Sequence, residues 1–330
     1  MSSKKVVLSG LGIVGILLFG YAIYYAIFPV TTESDLVSYH APCWGEKNKI
    51  YFIKKVSFAR KILNPMSLLS IGFFGGGDYL PDHTEVYLCS MNYDGTDKKE
   101  IVKIGDTDDN TYWLPMYLDY CKANNLLLLS GGMHPARGEV YQGIYTIKSD
   151  GRDKRKISEV GLHATWSPDG RQIVHSGGFI MNADGSNNHP IFSKNSECWG
   201  KSRDFIWSPR GDLIAFVCHG WIYTMKPDGS ERRKVCKGDR LKGWTLDGKE
   251  IIGDGYTVRL DSKEEKLLYD AEAGTYWGGR YSLDGRFMLG EIGFVVRDIE
   301  TMKTINLFAD IEIKGKHREH FVYKRPNNIW

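Results

Sequence analysis

Ala164-Thr165-Trp166-Ser167-Pro168-Asp169-Gly170-Arg171-Gln172-Ile173-Val174 returns in the chain as Phe205-Ile206-Trp207-Ser208-Pro209-Arg210-Gly211-Asp212-Leu213-Ile214-Ala215. In both, an apolar run ending in Trp enters a Pro-x-Gly turn and leaves into a second apolar run, which reads as strand, tight turn, strand. Weaker copies follow at Gly243-Trp244-Thr245-Leu246-Asp247-Gly248 and Arg280-Tyr281-Ser282-Leu283-Asp284-Gly285, each leading into another apolar run. Two degenerate copies lie upstream, at Trp44-Gly45-Glu46-Lys47-Asn48 and Tyr120-Cys121-Lys122-Ala123-Asn124.

A second hairpin follows each copy. Val86-Tyr87-Leu88 leads to Asp94-Gly95, Ile144-Tyr145-Thr146-Ile147 to Asp150-Gly151, Phe179-Ile180-Met181 to Asp184-Gly185, and Ile222-Tyr223-Thr224-Met225 to Asp228-Gly229. Four strands per unit, at a mean spacing of about 40 residues, is the pattern of a propeller blade. Six copies predict an all-β, six-bladed β-propeller of four-stranded antiparallel blades. An open β-sandwich leaves unexplained why the same turn recurs at the same offset.

The paired motif, aromatic-Ser-Pro-Asp-Gly and then an apolar strand ending in Asp-Gly, resembles the repeat of TolB-type (WD40-like) propellers over roughly residues 38–309. The match is specific in the third and fourth blades and poor in the first two. The resemblance implies that the Trp-containing strand is innermost, with the Asp-Gly turns on one face and the interblade loops on the other. It also implies a binding role, since propellers of this family mostly bind. The string His163-Ala164-Thr165-Trp166-Ser167-Pro168 is faintly similar to a segment of oligogalacturonate lyases, propeller enzymes with a histidine-held metal.

The chain is 330 residues long with 43 Lys and Arg against 40 Asp and Glu, a net charge of +3. No basic block marks a nucleic-acid partner. Residues 1–5, with Lys4 and Lys5, precede an uncharged apolar run over residues 6–30, long enough to cross a bilayer as a helix. Glu33 and Asp35 follow, so the positive-inside bias keeps the N-terminus cytoplasmic and puts residues 31–330 outside, in the periplasm or the extracellular space. A single-pass, uncleaved signal-anchor is the reading. A cleaved signal peptide is its rival, and Tyr24, Tyr25, Ile27 and Phe28 around Ala22 and Ala26 make a poor cleavage site. Six cysteines, Cys43, Cys89, Cys121, Cys198, Cys218 and Cys236, show no zinc spacing. Cys43, Cys89, Cys121 and Cys218 lie in strand-like runs and read as small core hydrophobes, with any pairing left open.

On the face assignment that the resemblance implies, His40, His83, His134, His163, His175 and His219 share the interblade-loop side with Trp113, Trp199, Trp277, Arg137 and Arg203. The candidate ligand contacts are His134, Arg137, His163, His175, Trp199, Arg203, His219, Trp277 and Arg280. A ring of neutral imidazoles there would suit a transition metal; polar loops that collect histidines by chance are the plainer alternative. Two stretches read as insertions, residues 54–85 and 130–142. The first carries Leu68, Leu69, Ile71, Phe73 and Phe74 before Gly75-Gly76-Gly77, either a partner-binding loop or extra core. No Gly-x-Ser-x-Gly, His-Glu-x-x-His or phosphate-binding loop is present. Asp106, Asp108 and Asn110 start like a calcium loop, but Thr111 stands where the glycine belongs.

These readings converge on a membrane-anchored propeller of the cell envelope that binds a protein or peptide partner and needs no catalytic residue or cofactor. The alternative is a metal-dependent polysaccharide lyase or hydrolase, with Arg137, Arg203 or Arg280 meeting an acidic sugar. Convergence of at least three of His40, His134, His163, His175 and His219 would separate the two.

Overall fold

The structure is a computed structural model that describes residues 33–61, 79–106, 115–133, 140–267, 269–270, 275–276, 279–290, 295–301 and 303–308. The anchor expected over residues 6–30, the apolar loop from Leu68 to Phe74 and the calcium-like stretch beyond Asp106 lie outside them. Among the described residues no helix is long and apolar enough to cross a membrane, and one 3-10 turn, Glu46–Asn48, is the sole helical element.

Six four-stranded antiparallel sheets follow one another along the chain. Blade one is β1 (Glu33–Trp44), β2 (Lys49–Lys61), β3 (Tyr79–Asn92) and β4 (Lys99–Asp106). Blade two is β5 (Pro115–Cys121), β6 (Leu126–Met133), β7 (Val140–Lys148) and β8 (Arg155–Ser158). Blade three is β9 (Thr165–Trp166), β10 (Gln172–His175), β11 (Phe179–Asn182) and β12 (His189–Pro190). Blade four is β13 (Ser202–Trp207), β14 (Ile214–Cys218), β15 (Trp221–Met225) and β16 (Arg233–Lys237). Blade five is β17 (Leu241–Trp244), β18 (Glu250–Gly253), β19 (Tyr256–Arg259) and β20 (Glu265–Leu267). A two-stranded hairpin, β21 (Tyr269–Asp270) and β22 (Thr275–Tyr276), precedes blade six, which is β23 (Gly279–Tyr281), β24 (Phe287–Gly290), β25 (Val295–Asp298) and β26 (Thr304–Asn306).

The first strands of blades two to six contact one another in succession, which makes them the innermost strands. The recurring turn motif has a simple chemistry. Ser167 Oγ donates to Asp169 Oδ1 at 2.6 Å and accepts the Gln172 amide at 2.9 Å, closing the Pro-Asp-Gly turn from inside. Thr245 with Asp247 and Ser282 with Asp284 repeat this. In blade four Arg210 occupies the aspartate's place, and Asp212 accepts from Ser208 Oγ instead at 2.7 Å.

The glycines of the outer hairpins serve the packing between blades. Gly185 has φ +85°, and a Cβ there would stand 2.0 Å from the Ile157 carbonyl of the preceding blade. Gly95 approaches Leu307 in the same way, so the first blade meets the last by the contact that joins the others. The ring closes through side chains. Trp44, Ile50, Phe52, Cys89 and Met91 of blade one share a core with Phe287, Leu289, Val296 and Leu307 of blade six. Trp44 Nε1 donates to the Arg280 carbonyl at 2.7 Å, and Asn48 Nδ2 to Asp284 Oδ2 at 2.8 Å.

Two expectations need correction. The insertions are not wholly loops: residues 54–61 and 79–85 continue β2 and β3, and β6 runs to Met133 with β7 resuming at Val140. Strand alternation carries on through Val56 and Thr84, both buried, and Thr84 Oγ1 donates to Ser57 Oγ. The described residues divide into two compact units, residues 33–38, 55–61, 79–85 and 106 forming one and the rest the other. In the smaller, His83 lies 5.3 Å from the Phe58 ring. The second correction is Cys218, which is not a free core thiol but is disulfide-bonded to Cys198. Cys43, Cys89, Cys121 and Cys236 are free and buried.

Candidate functional site

The chain leaves regular strand geometry just before the inner aromatic residue in blades one, three, four and five, and Ala41, three residues before Trp44, has φ +49°. His163, three residues before Trp166, has φ +49°, and Asp204, three before Trp207, has φ +56°. Both lie in the left-handed region that side chains other than glycine seldom adopt. In blade four the register slips between Arg203 and Ile206, so Asp204 and Phe205 both stand opposite Phe216. In blade five it slips between Leu241 and Gly243, leaving Lys242 as the extra residue. Such bulges re-aim a side chain that a regular strand would commit to the ladder.

The re-aimed residues meet around His163. Its ring lies against Tyr117 of blade two, tilted by 36° with centroids 3.4 Å apart, and Nδ1 lies 3.4 Å from Asp204 Oδ1. Burial, first, and then the charges of Arg280, Arg203 and Lys242 push its pKa down to about 3. Each of those cations disfavours a further positive charge. The imidazole is therefore neutral, and its approach to Asp204 is a polar contact rather than an ion pair. Arg203 is held in place through Nη2, which donates to the Asp239 carbonyl at 2.6 Å, while 46% of its side chain stays exposed. Lys242 is buried.

Arg280 of blade six reaches Asp119 of blade two, Nη1 to Oδ1, at 3.0 Å. The other oxygen of Asp119 accepts the Trp166 amide at 2.8 Å. Burial raises the Asp119 carboxyl above its ordinary value, and Arg280 offsets part of that. The cluster thus brings three cations, two carboxylates, one neutral imidazole and one phenol ring from blades two to six to one end of the inner strands.

Of the nine expected ligand contacts, His163, Arg203 and Arg280 come together here. His175, Trp199 and His219 lie elsewhere in blades three and four. His175 is 2% exposed, with Nε2 3.2 Å from Asn188 Oδ1 and Nδ1 3.2 Å from the Ser176 carbonyl. It stacks on Phe179, which neighbours Trp199 at 6.0 Å. His219 Nε2 lies 3.0 Å from the Glu197 carbonyl, in the segment tethered by the disulfide. His134, Arg137 and Trp277 lie outside the described residues. Among the described residues no three His, Cys, Asp or Glu side chains gather to hold a metal ion.

Sequence reasoning missed Tyr117, Asp119, Asp204 and Lys242. A signal for two of them was present. In the column two residues before the aromatic, Leu118, Ala164 and Phe205 are apolar and Lys242 is not; in the next column, Asp119 and Arg280 are the two charged members. A groove of about 280 Å³ lined by Thr245, Leu246, Asp247, Glu250, Tyr281 and Gly285 lies among the Asp-Gly turns, away from this cluster.

No protein-family model matches the sequence, and no curated protein is similar to it. Among solved structures, the chain is similar to one from a nidogen/laminin complex, with TM-score 0.48 and 9% identity over 72% of this chain and 82% of that one. A putative TolB from Agrobacterium tumefaciens has TM-score 0.37 and 15% identity over 61% and 83%. A chain of a mitotic checkpoint complex has TM-score 0.43 and 14% identity over 76% and 83%. At these TM-scores and identities the likeness carries no function across.

Proposed function

We propose that this protein is a membrane-anchored binding module of the cell envelope whose propeller engages a protein or peptide at the mouth ringed by His163, Arg203, Asp204, Lys242 and Arg280. The observation that carries the reading is the gathering of charged and aromatic side chains at one end of the inner strands, with Asp204 3.4 Å from His163 and Arg280 3.0 Å from Asp119. Rigid strands supply the contacts, as a binding site requires. The Cys198–Cys218 disulfide suits an oxidising compartment, in keeping with the apolar run behind Lys4 and Lys5.

A photo-crosslinking residue placed at position 203, at the mouth, and another at position 247, among the Asp-Gly turns, test the reading in cells. Protein adducts from 203 and none from 247 are expected; adducts from 247 alone would overturn it.

A further inference from the structure

The groove among the Asp-Gly turns lies at the junction of blades five and six. Thr245, Leu246, Asp247 and Glu250 of one blade line it with Tyr281 and Gly285 of the next. Leu246 stands where blades three and four carry Pro168 and Pro209, and it leans across the junction: a Cβ at Gly285 would lie 2.4 Å from Leu246 Cδ1. Leu246 and Leu283, at the same turn position in the two blades, are two of the three large apolar side chains exposed among the described residues.

Two carboxylates line this groove and no Lys or Arg does. Asp247 Oδ1 accepts from Thr245 Oγ1 at 2.7 Å and from the Lys249 amide at 3.0 Å, while Oδ2 accepts no hydrogen bond among the described residues. The Thr245 hydroxyl holds the Asp247 carboxyl below its ordinary value, so it is charged at neutral pH. Glu250 accepts no hydrogen bond at either carboxylate oxygen among the described residues. Arg259 Nη1 stands 3.9 Å from its Oε1, and Nε of that guanidinium donates to Asp261 at 3.1 Å instead. With 28% of its side chain exposed, Glu250 is a largely buried carboxylate whose accepting capacity the protein leaves unmet; buried acceptors as a rule take a donor.

We propose that this groove binds a short aliphatic diamine, one ammonium on Asp247 and the other on Glu250, with the methylenes along Leu246 and the ring of Tyr281. Each ammonium brings three donors and one charge, and an aromatic face adds attraction for a cation. A volume of about 280 Å³ suits a small ligand rather than a drug-sized one. A bare divalent cation is a poorer match, since calcium takes about six to eight oxygens and apolar walls supply none. The site belongs to the turn face, so it stands or falls independently of the mouth.

Equilibrium dialysis of the full-length chain against cadaverine, pentylamine, pentanediol and calcium tests it. Cadaverine should be retained with a Kd on the order of 1 mM or tighter, at least about 10-fold below that of pentylamine, and pentanediol not at all. Glu250→Gln and Asp247→Asn keep the size of each side chain and the oxygen that caps the turn. With melting profiles unchanged, each should weaken cadaverine about 10-fold; the comparison of probes on the unaltered chain decides the matter even if a variant folds poorly. No retention of cadaverine at about 10 mM, equal retention of diamine and monoamine, calcium held more tightly than the diamine, or cadaverine binding unmoved by both substitutions would overturn the site.

Discussion

The Arg280 guanidinium donates through Nη1 to Asp119 Oδ1 at 3.0 Å, joining blade six to blade two, and both charges act on the Cys43 thiol of blade one. The pair thus spans the seam where the last blade meets the first, beside the Trp44 bond to the Arg280 carbonyl. Removing Arg280 leaves a largely buried carboxylate without its partner. A fully buried case costs about 3–5 kcal/mol; with 28% of the Arg280 and 19% of the Asp119 side chain exposed, Arg280→Met is expected to cost about 2 kcal/mol in urea unfolding.

That deficit should depend on pH. Burial already holds the Asp119 carboxyl above its ordinary value, and loss of Arg280 raises it further. A carboxyl raised by folding contributes stability below its unfolded value, about 3.9, and that contribution is lost as pH rises through the folded value. The Arg280→Met deficit is therefore expected to grow from pH 4 to pH 7. A deficit independent of pH would mean that packing, and not the charge, is what the arginine supplies.

How far the sequence led is plainest at the turns. Ser167, Thr245 and Ser282 each bond an aspartate two residues on, so blade and turn are written together and the six sheets could be read directly. The mouth could not be read that way. The bulges at Asp204 and Lys242 break strand periodicity by one residue, which a local pattern absorbs as noise. The Asp119–Arg280 partnership spans 161 residues of chain, and only ring closure brings it about. His175 was misleading for the opposite reason. It ends a strand in the right place, yet its side chain is committed to Asn188.

Two glycines of positive φ give a graded test. Gly185→Ala sets a Cβ against the Ile157 carbonyl at 2.0 Å, with φ +85° besides. Gly200, at φ +67°, has nothing within 4 Å of a Cβ. Gly200→Ala should cost about 1 kcal/mol, from backbone strain alone, and Gly185→Ala about 3 kcal/mol or more because backbone of two blades must part. Thermal unfolding of the two variants checks the order; equal costs would contradict the interblade contact.

The disulfide closes 20 residues between Cys198 and Cys218. Cys198→Ala with Cys218→Ala should lower stability by about 3 kcal/mol, in the range for a loop of that length. Burial raises the Cys236 thiol to about 11 and the Cys89 thiol to about 12, so a thiol reagent should find no fast-reacting group in the native protein. Six cysteines less the two bonded leave four, and four should react after unfolding without reductant.

The central claim is that three cations converge on His163, and the proton resonance of its imidazole measures this directly once assigned by comparison with His163→Gln. A histidine depressed by folding gives stability that is present above its unfolded value near about 6.5 and lost as pH falls toward the folded value. The native His163 should accordingly show no titration between pH 8 and pH 5, in line with a pKa near 3, and Lys242→Met should move its midpoint upward. A wild-type midpoint near 6.5, unmoved by Lys242→Met, would contradict the cationic mouth and the binding role built on it.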